Sequence, residues 1–310
     1  MQHTLKSLLS IKGTGLHTGA TVTINALPAD CDHGIVFKRV DIKDKDNLIE
    51  AKWHNVVDTR LCTVISNKSG ATVGTIEHLM AALRGCGIDN ALIEIDGSEL
   101  PILDGSSIAF VRAIDEVGIQ VQGQPRRAIR ILKEIFYEEN GSKVTLSPSS
   151  VPVYSGQIDY DNPAIGSQKY EIKLVNGNFK HDLADCRTFC LLSDVEAMQA
   201  NGLALGGSLD NAIVVDDSGV MNEEGLRCHD EFIRHKLLDA IGDISLAGGL
   251  VLGSYEGQRI GHAINNKVLR ALFEDNSAWE VVDLFIEMDE ADSWVYNTKP
   301  STSKISVASY

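Results

Sequence analysis

The stretch Glu231–Gly249 reads EFIRHKLLDAIGDISLAGG. At about 100° per residue, Ile233, Leu237, Ala240, Ile241 and Ile244 gather on one side of a helix, while His235, Asp239 and Asp243 line the other. Two readings are open for that polar stripe. It is a solvated helix face carrying a harmless histidine, or it holds something. Positions four apart lie roughly 5–6 Å from each other at Cβ, close enough for His235 and Asp239 to reach one ion.

A second helix, TIEHLMAAL, has Thr75 placed to act as N-cap and stops at Arg84-Gly85. Its apolar face is Ile76, Leu79, Met80 and Leu83, and His78 points away from it. Around both helices the same grammar recurs. TIEHLMAAL leads to a strand, NALIEIDG, and a further helix, SIAFVRAIDEVG; FIRHKLLDAIGDI leads to GLVLGSY and GHAINNKVLRAL. Ile93 to Arg112 and Val251 to Arg270 are both 19 positions, and His78 to Arg112 and His235 to Arg270 are 34 and 35. The expectation is a duplication: an α+β chain of two similar β-α-α-β domains, each a sheet with two helices on one face, with the helix layers packed face to face. The polar segment around Gly123 and Pro125 divides them, giving residues 1–122, a linker at 123–128, a second domain at 129–298 and a tail at 299–310.

If the layers meet, His78 from one half joins His235 and Asp239 from the other. Two imidazoles and a carboxylate leave a fourth coordination position open, the pattern of a catalytic zinc site; Fe(II) accepts the same ligands. Glu77 projects about 100° round the helix from His78, beside the place of a metal-bound water whose proton it can take. Its alternative role is a first-turn acid facing the helix dipole.

Composition bounds the rest. A formal charge of −15 over 310 residues argues against sequence-independent binding to nucleic acid or to an anionic membrane. Eight acids and no Lys or Arg fall in residues 271–298. Six cysteines without a CxxC pair, and no signal-like N-terminus, predict reduced thiols and a cytoplasmic protein. The apolar runs are too short to span a bilayer, so stable membrane insertion is not expected.

At TIEHLMAAL, HDEFIRHKLLDAIGD and GHAINNK the chain resembles the UDP-3-O-acyl-N-acetylglucosamine deacetylases of lipid A biosynthesis. The resemblance extends through GTGLHTG, DGSELPILDGSS, CRTFC, NGLALGGSLDNAIVVDD and NEEGLR, from Thr4 to about residue 272. It implies a cytoplasmic, monomeric zinc hydrolase acting on an acylated UDP-amino sugar, with His78, His235 and Asp239 as ligands and Glu77 as general base. His262 corresponds to the histidine that stabilises the oxyanion and protonates the leaving amine, with Asp243 orienting it. Thr188 corresponds to a hydroxyl facing the tetrahedral intermediate, and Lys236 to a lysine that contacts substrate.

For substrate binding the resemblance points to Leu16, Cys62, Phe189, Gly206 and Ser208 around the acyl chain, with an insertion at about 189–213 forming an apolar tunnel. Lys143 is placed by it at the diphosphate, with Lys236 near, and Arg259 among the nucleotide contacts. His17 belongs to the same pattern, near the site mouth and not as a ligand. Four positions depart from it: Arg259 stands for lysine, Ile260 for a small residue, Cys190 for glycine and Arg60 for an apolar residue. The competing reading is a noncatalytic lipid-sugar binding protein on the same fold.

Overall fold

The computed structural model describes residues 1–288 and 294–301. Both halves build one sheet by one route. In the first, the strands stand in the order Leu9–Thr14, Thr21–Pro28, Ala91–Ile95, Ile35–Arg39, Leu48–Glu50. In the second the order is Ile135–Glu139, Ser142–Ser147, Ser254–Gln258, Val153–Asp159, Ser167–Lys173. Each central strand comes last in the chain, antiparallel to the neighbour on one side and parallel to the neighbour on the other. Strands such as Thr21–Pro28 alternate buried Val22, Ile24 and Ala26 with more exposed Thr23, Asn25 and Leu27, as a sheet covered on one face requires.

The covering helices are α1 (Glu77–Gly85) and α2 (Ile108–Val117), which bracket the first central strand. Helix α3 (Leu192–Ala200) belongs to the insertion, and α4 (Glu231–Ile244) and α5 (His262–Glu274) bracket the second central strand. Helix α1 packs on α4, and α4 in turn packs on the strands Val153–Asp159 and Ser167–Lys173. The layers are therefore sheet, helices, helices, sheet. Contact between α1 and α4 is close because residue 242 is glycine: a Cβ there would sit 2.1 Å from the Glu77 carbonyl oxygen. Twelve of the fourteen residues of α4 are buried, so the polar stripe is not a solvated face.

Between its fourth strand and first helix each half inserts a small three-stranded sheet: Val56–Asp58, Val64–Ser66, Thr72–Val73 in one, and Phe189–Leu191, Ile213–Asp216, Gly219–Val220 in the other.

Three expectations need correction. GLVLGSY is two strands, Leu250–Leu252 and Ser254–Gln258, divided at Gly253, where a Cβ would meet Ile131 Cγ1 at 2.6 Å. Leu250–Leu252 joins a separate sheet with Arg126–Ile131, Trp279–Met288 and Trp294–Pro300, so Val251 is not the counterpart of Ile93 and the shared spacing of 19 is a coincidence. Topology carries the duplication instead. Thr75 does not cap α1: it adopts a left-handed φ of 54°, and its hydroxyl donates to Glu99 Oε1 at 3.0 Å.

The acid-rich stretch after residue 271 includes the strand Trp279–Met288, with Val282 and Leu284 buried. Of the expected tail, the strand Trp294–Pro300 takes in the first two positions, and residues 302–310 lie outside the described residues. Arg126–Ile131 starts within the expected linker at 123–128.

Candidate metal centre and catalytic cavity

The meeting of α1 and α4 brings His78, His235 and Asp239 together, with one ligand atom of each within 4.8 Å of the others. Asp239 Oδ1 lies 3.5 Å from His78 Nε2 and 3.3 Å from His235 Nε2, and the two rings meet edge to face with centroids 5.0 Å apart. The carbonyl of Cys186 lies 3.0 Å from His235 Nδ1 and accepts its proton, which turns the Nε2 lone pair toward Asp239. His235 Nε2 and Asp239 Oδ1 are both buried and have no hydrogen-bond partner. Orphaned buried acceptors cost about 1–3 kcal/mol each. A cation between them removes that cost, so the residues fit a metal ion.

Their protonation fits too. Burial pushes His235 down to about 4, leaving it neutral at physiological pH. For Asp239 burial acts upward, but His235 and Lys236 outweigh it and hold the carboxyl well below its usual range. A neutral imidazole at His235 and an ionised carboxylate at Asp239, with the His78 ring beside them, form a donor set suited to Zn²⁺ or Fe²⁺.

Beside the triad, Glu77 Oε1 stands 3.7 Å from His262 Nε2. Burial raises the Glu77 carboxyl above its ordinary value. His262 is the opposite case: burial would lower it, but Asp243 and Glu77 outweigh burial and push it up to about 10. Asp243 Oδ2 sits 2.8 Å from His262 Nδ1 and also accepts from Asn265 Nδ2 at 2.9 Å, whose Oδ1 accepts from the Tyr255 hydroxyl at 2.7 Å. Thr63 ties the two acids together. Its backbone N–H donates to Glu77 Oε2 at 3.1 Å and its hydroxyl to Asp243 Oδ1 at 2.6 Å.

A cavity of about 730 Å³ is bordered by His262, by the loop 59–61 of the first inserted sheet and by the strands of the second. Of the residues singled out above, Leu16, Thr188, Phe189, Ser208, Lys236 and His262 line it. Lys236 Nζ lies 3.5 Å from Asp239 Oδ2 and 5.6 Å over the Phe189 ring. Helix α3, which the sequence did not announce, supplies Val195 and Met198 to the wall. Gly206 is pressed to the GTGLHTG loop, where a Cβ would fall 2.2 Å from the Gly15 carbonyl oxygen. Cys62 is buried behind Glu77, its thiol pushed up to about 12 by burial and then by Glu77.

Arg259 and Lys143 lie outside this lining. Arg259, at a left-handed φ of 50°, borders a neighbouring hollow of about 430 Å³ that shares Tyr160 and Leu191 with the main cavity. Lys143 pairs across strands with Gln258, the residue before Arg259. Of the other departures, Arg60 and Cys190 line the cavity, and Ile260 fills the space left by Gly156 and Gly257. His17 is held at the rim with its backbone N–H donated to Glu99 Oε1 at 2.8 Å.

Thr63, Asn265, Tyr255, Tyr160 and Glu99 escaped the sequence reading. Asn265 had a signal, one turn after His262 on α5. Thr63 had none, because its partners lie 14 and 180 positions away.

The profile of the UDP-3-O-acyl N-acetylglycosamine deacetylase (LpxC) family matches residues 2–274. This chain belongs to that family. A UDP-3-O-acyl-N-acetylglucosamine deacetylase of Phenylobacterium zucineum is 44% identical over 290 residues, spanning 94% of this chain and 99% of the relative. Those of Nitrosococcus oceani and Geobacter sp. strain M21 are also 44% identical, over 304 and 282 residues, with 97% and 91% of this chain covered and 99% and 92% of the relatives. As a member of the deacetylase family the chain is an α+β protein, and none of its described helices is long and apolar enough to cross a membrane.

Proposed function

We propose that this protein hydrolyses the N-acetyl amide of a UDP-3-O-acyl-N-acetylglucosamine, giving acetate and the free 2-amino sugar, with Zn²⁺ held by His78, His235 and Asp239. The single observation that carries the reading is the meeting of an unsatisfied ligand triad with an acid-base pair whose His262 lines an apolar cavity. When bound, a divalent cation supplies Lewis acidity toward the carbonyl oxygen and toward water. The remaining steps belong to the chain's own side chains. Glu77 takes the proton from a water placed against the scissile carbonyl, a role its raised proton affinity suits. His262, cationic at neutral pH, faces the oxyanion and donates its Nε2 proton to the departing nitrogen, which leaves poorly unless protonated. Asp243 accepts from Nδ1 and keeps the ring cationic. The hydroxyl of Thr188 and the ammonium of Lys236, both on the cavity wall, steady the tetrahedral oxygen and the sugar.

The acyl chain lies in the cavity against Leu16, Phe189, Gly206 and Ser208, with Cys62 behind it, and the diphosphate runs toward Lys143 and Arg259. The active unit is one chain, its halves at 1–122 and 129–298 closing on one ion, working in the cytoplasm. The test is acetate release from UDP-3-O-acyl-N-acetylglucosamine by purified protein. Release that stops with chelator and returns with added Zn²⁺ supports the reading; binding of the substrate without acetate release refutes it in favour of a noncatalytic role.

A further inference from the structure

At the end of α1 opposite Glu77 and His78, Arg84, Gly85 and Cys86 border a second cavity of about 550 Å³ that shares no lining residue with the first. Four basic side chains reach it, and three are engaged. Arg126 donates Nε to Asp89 Oδ2 at 3.0 Å and Nη2 to the Gly87 carbonyl. Lys180 is paired with Asp115, and His3 Nδ1 lies 3.2 Å from the Gly87 carbonyl. Arg84 is different. Its side chain is only 9% exposed, its Nε and Nη1 are buried with no hydrogen-bond partner, and its ion-pair partner, Asp89 Oδ1, stands 3.8 Å away.

One carboxylate thus faces two guanidinium groups, and a guanidinium does not deprotonate in a protein. The cavity wall is left with one buried positive charge in excess and two unused donors. Burial of such a charge is unfavourable until an anion meets it. The rest of the wall is formed by Leu174, Phe179, Leu250, Leu284 and Tyr296, with Asn176 and Asn178 beside them. The Phe179 ring lies over Gly85 so closely that a Cβ there would meet it at 2.0 Å, which fixes one side of the opening.

We propose that this cavity binds an apolar monocarboxylate, its head group on Arg84 and its body against Leu250, Leu284 and Tyr296. The one excess charge that is buried matches a carboxylate, and the volume of about 550 Å³ exceeds what a head group alone fills. This is independent of the catalytic reading.

The experiment uses octanoate, octyl phosphate and octanol as probes of the full-length protein, by isothermal titration and thermal unfolding. Octanoate is expected to bind and to raise the melting temperature with concentration. Octanol is expected to do neither. Arg84→Met keeps the apolar stem but removes the charge, and should weaken octanoate by about tenfold or more, the loss of a charge-assisted hydrogen bond, with deacetylation in the absence of octanoate unchanged. Should Arg84→Met fail to fold, Leu284→Phe, which narrows the apolar end and leaves the charge, is expected to weaken octanoate but not acetate. Octanoate binding of equal strength in Arg84→Met and wild type, which would place it in the catalytic cavity, overturns the proposal. So does tighter binding of octyl phosphate than octanoate, or no binding at millimolar octanoate.

Discussion

Glu77 and Asp243 come from opposite halves of the chain, yet both reach His262, and Thr63 bonds to both. The arrangement separates two proton affinities: burial raises Glu77, and Asp243 and Glu77, against burial, raise His262 to about 10, as the proposed base and acid require. Glu77→Gln leaves all three ligand atoms in place, so it should retain bound metal while turnover falls by about 10²–10⁴, the usual worth of a general base; metal analysis beside acetate release checks both. Asp243→Asn tests the histidine. His262 is raised above an ordinary value near 6.5, so the stability Asp243 lends through it is complete below about pH 6.5 and is lost as pH rises through about 10. With metal removed, the melting-temperature gap between wild type and Asp243→Asn should therefore be widest on the acid side of neutrality and close by pH 10 to 11. At this scale His235, Asp239 and Asp243 were legible because helical spacing is short-range. Thr63 was not, because only the tertiary fold brings residue 63 to residue 243.

Among the elements, α1 and α4 were readable from their apolar periodicity, and their packing depends on one missing side chain. Gly242 lets the helix backbones touch at Glu77. Gly242→Ala introduces a methyl group at 2.1 Å from a carbonyl oxygen, so α1 must move away from α4. Overpacking of this kind costs about 1–3 kcal/mol, and because the two helices divide the ligands between them, metal affinity should fall with stability. Urea unfolding and a zinc-competition titration of the variant measure the two losses. Other elements were hidden for physical reasons. Helix α3 has no buried residue, so no apolar stripe marks it, and its apolar side chains face the cavity. The strand Trp279–Met288 carries its acids at 280, 283 and 287 between apolar residues, so neither strict alternation nor an uncharged run marks it. Thr75 looked like a cap because threonine suits that position, but Glu99 takes its hydroxyl and the backbone turns left-handed.

The whole molecule is a duplicated sheet-and-helix unit closed on itself, with a loop of the first inserted sheet and strands of the second on the wall of one cavity. Duplication is visible in the order of elements, though the two matching 19-residue spacings start from Ile93 and Val251, which lie in non-equivalent sheets. The consequence is that neither half holds a complete centre: His78 and Glu77 belong to one, His235, Asp239 and His262 to the other. The most direct measurement is the metal content of purified wild type, His78→Ala and His235→Ala, by elemental analysis after dialysis against trace chelator. The account predicts one ion per chain in wild type and loss of it in both variants, although their altered residues lie in different halves. A His78→Ala protein that keeps its ion with wild-type affinity would contradict it.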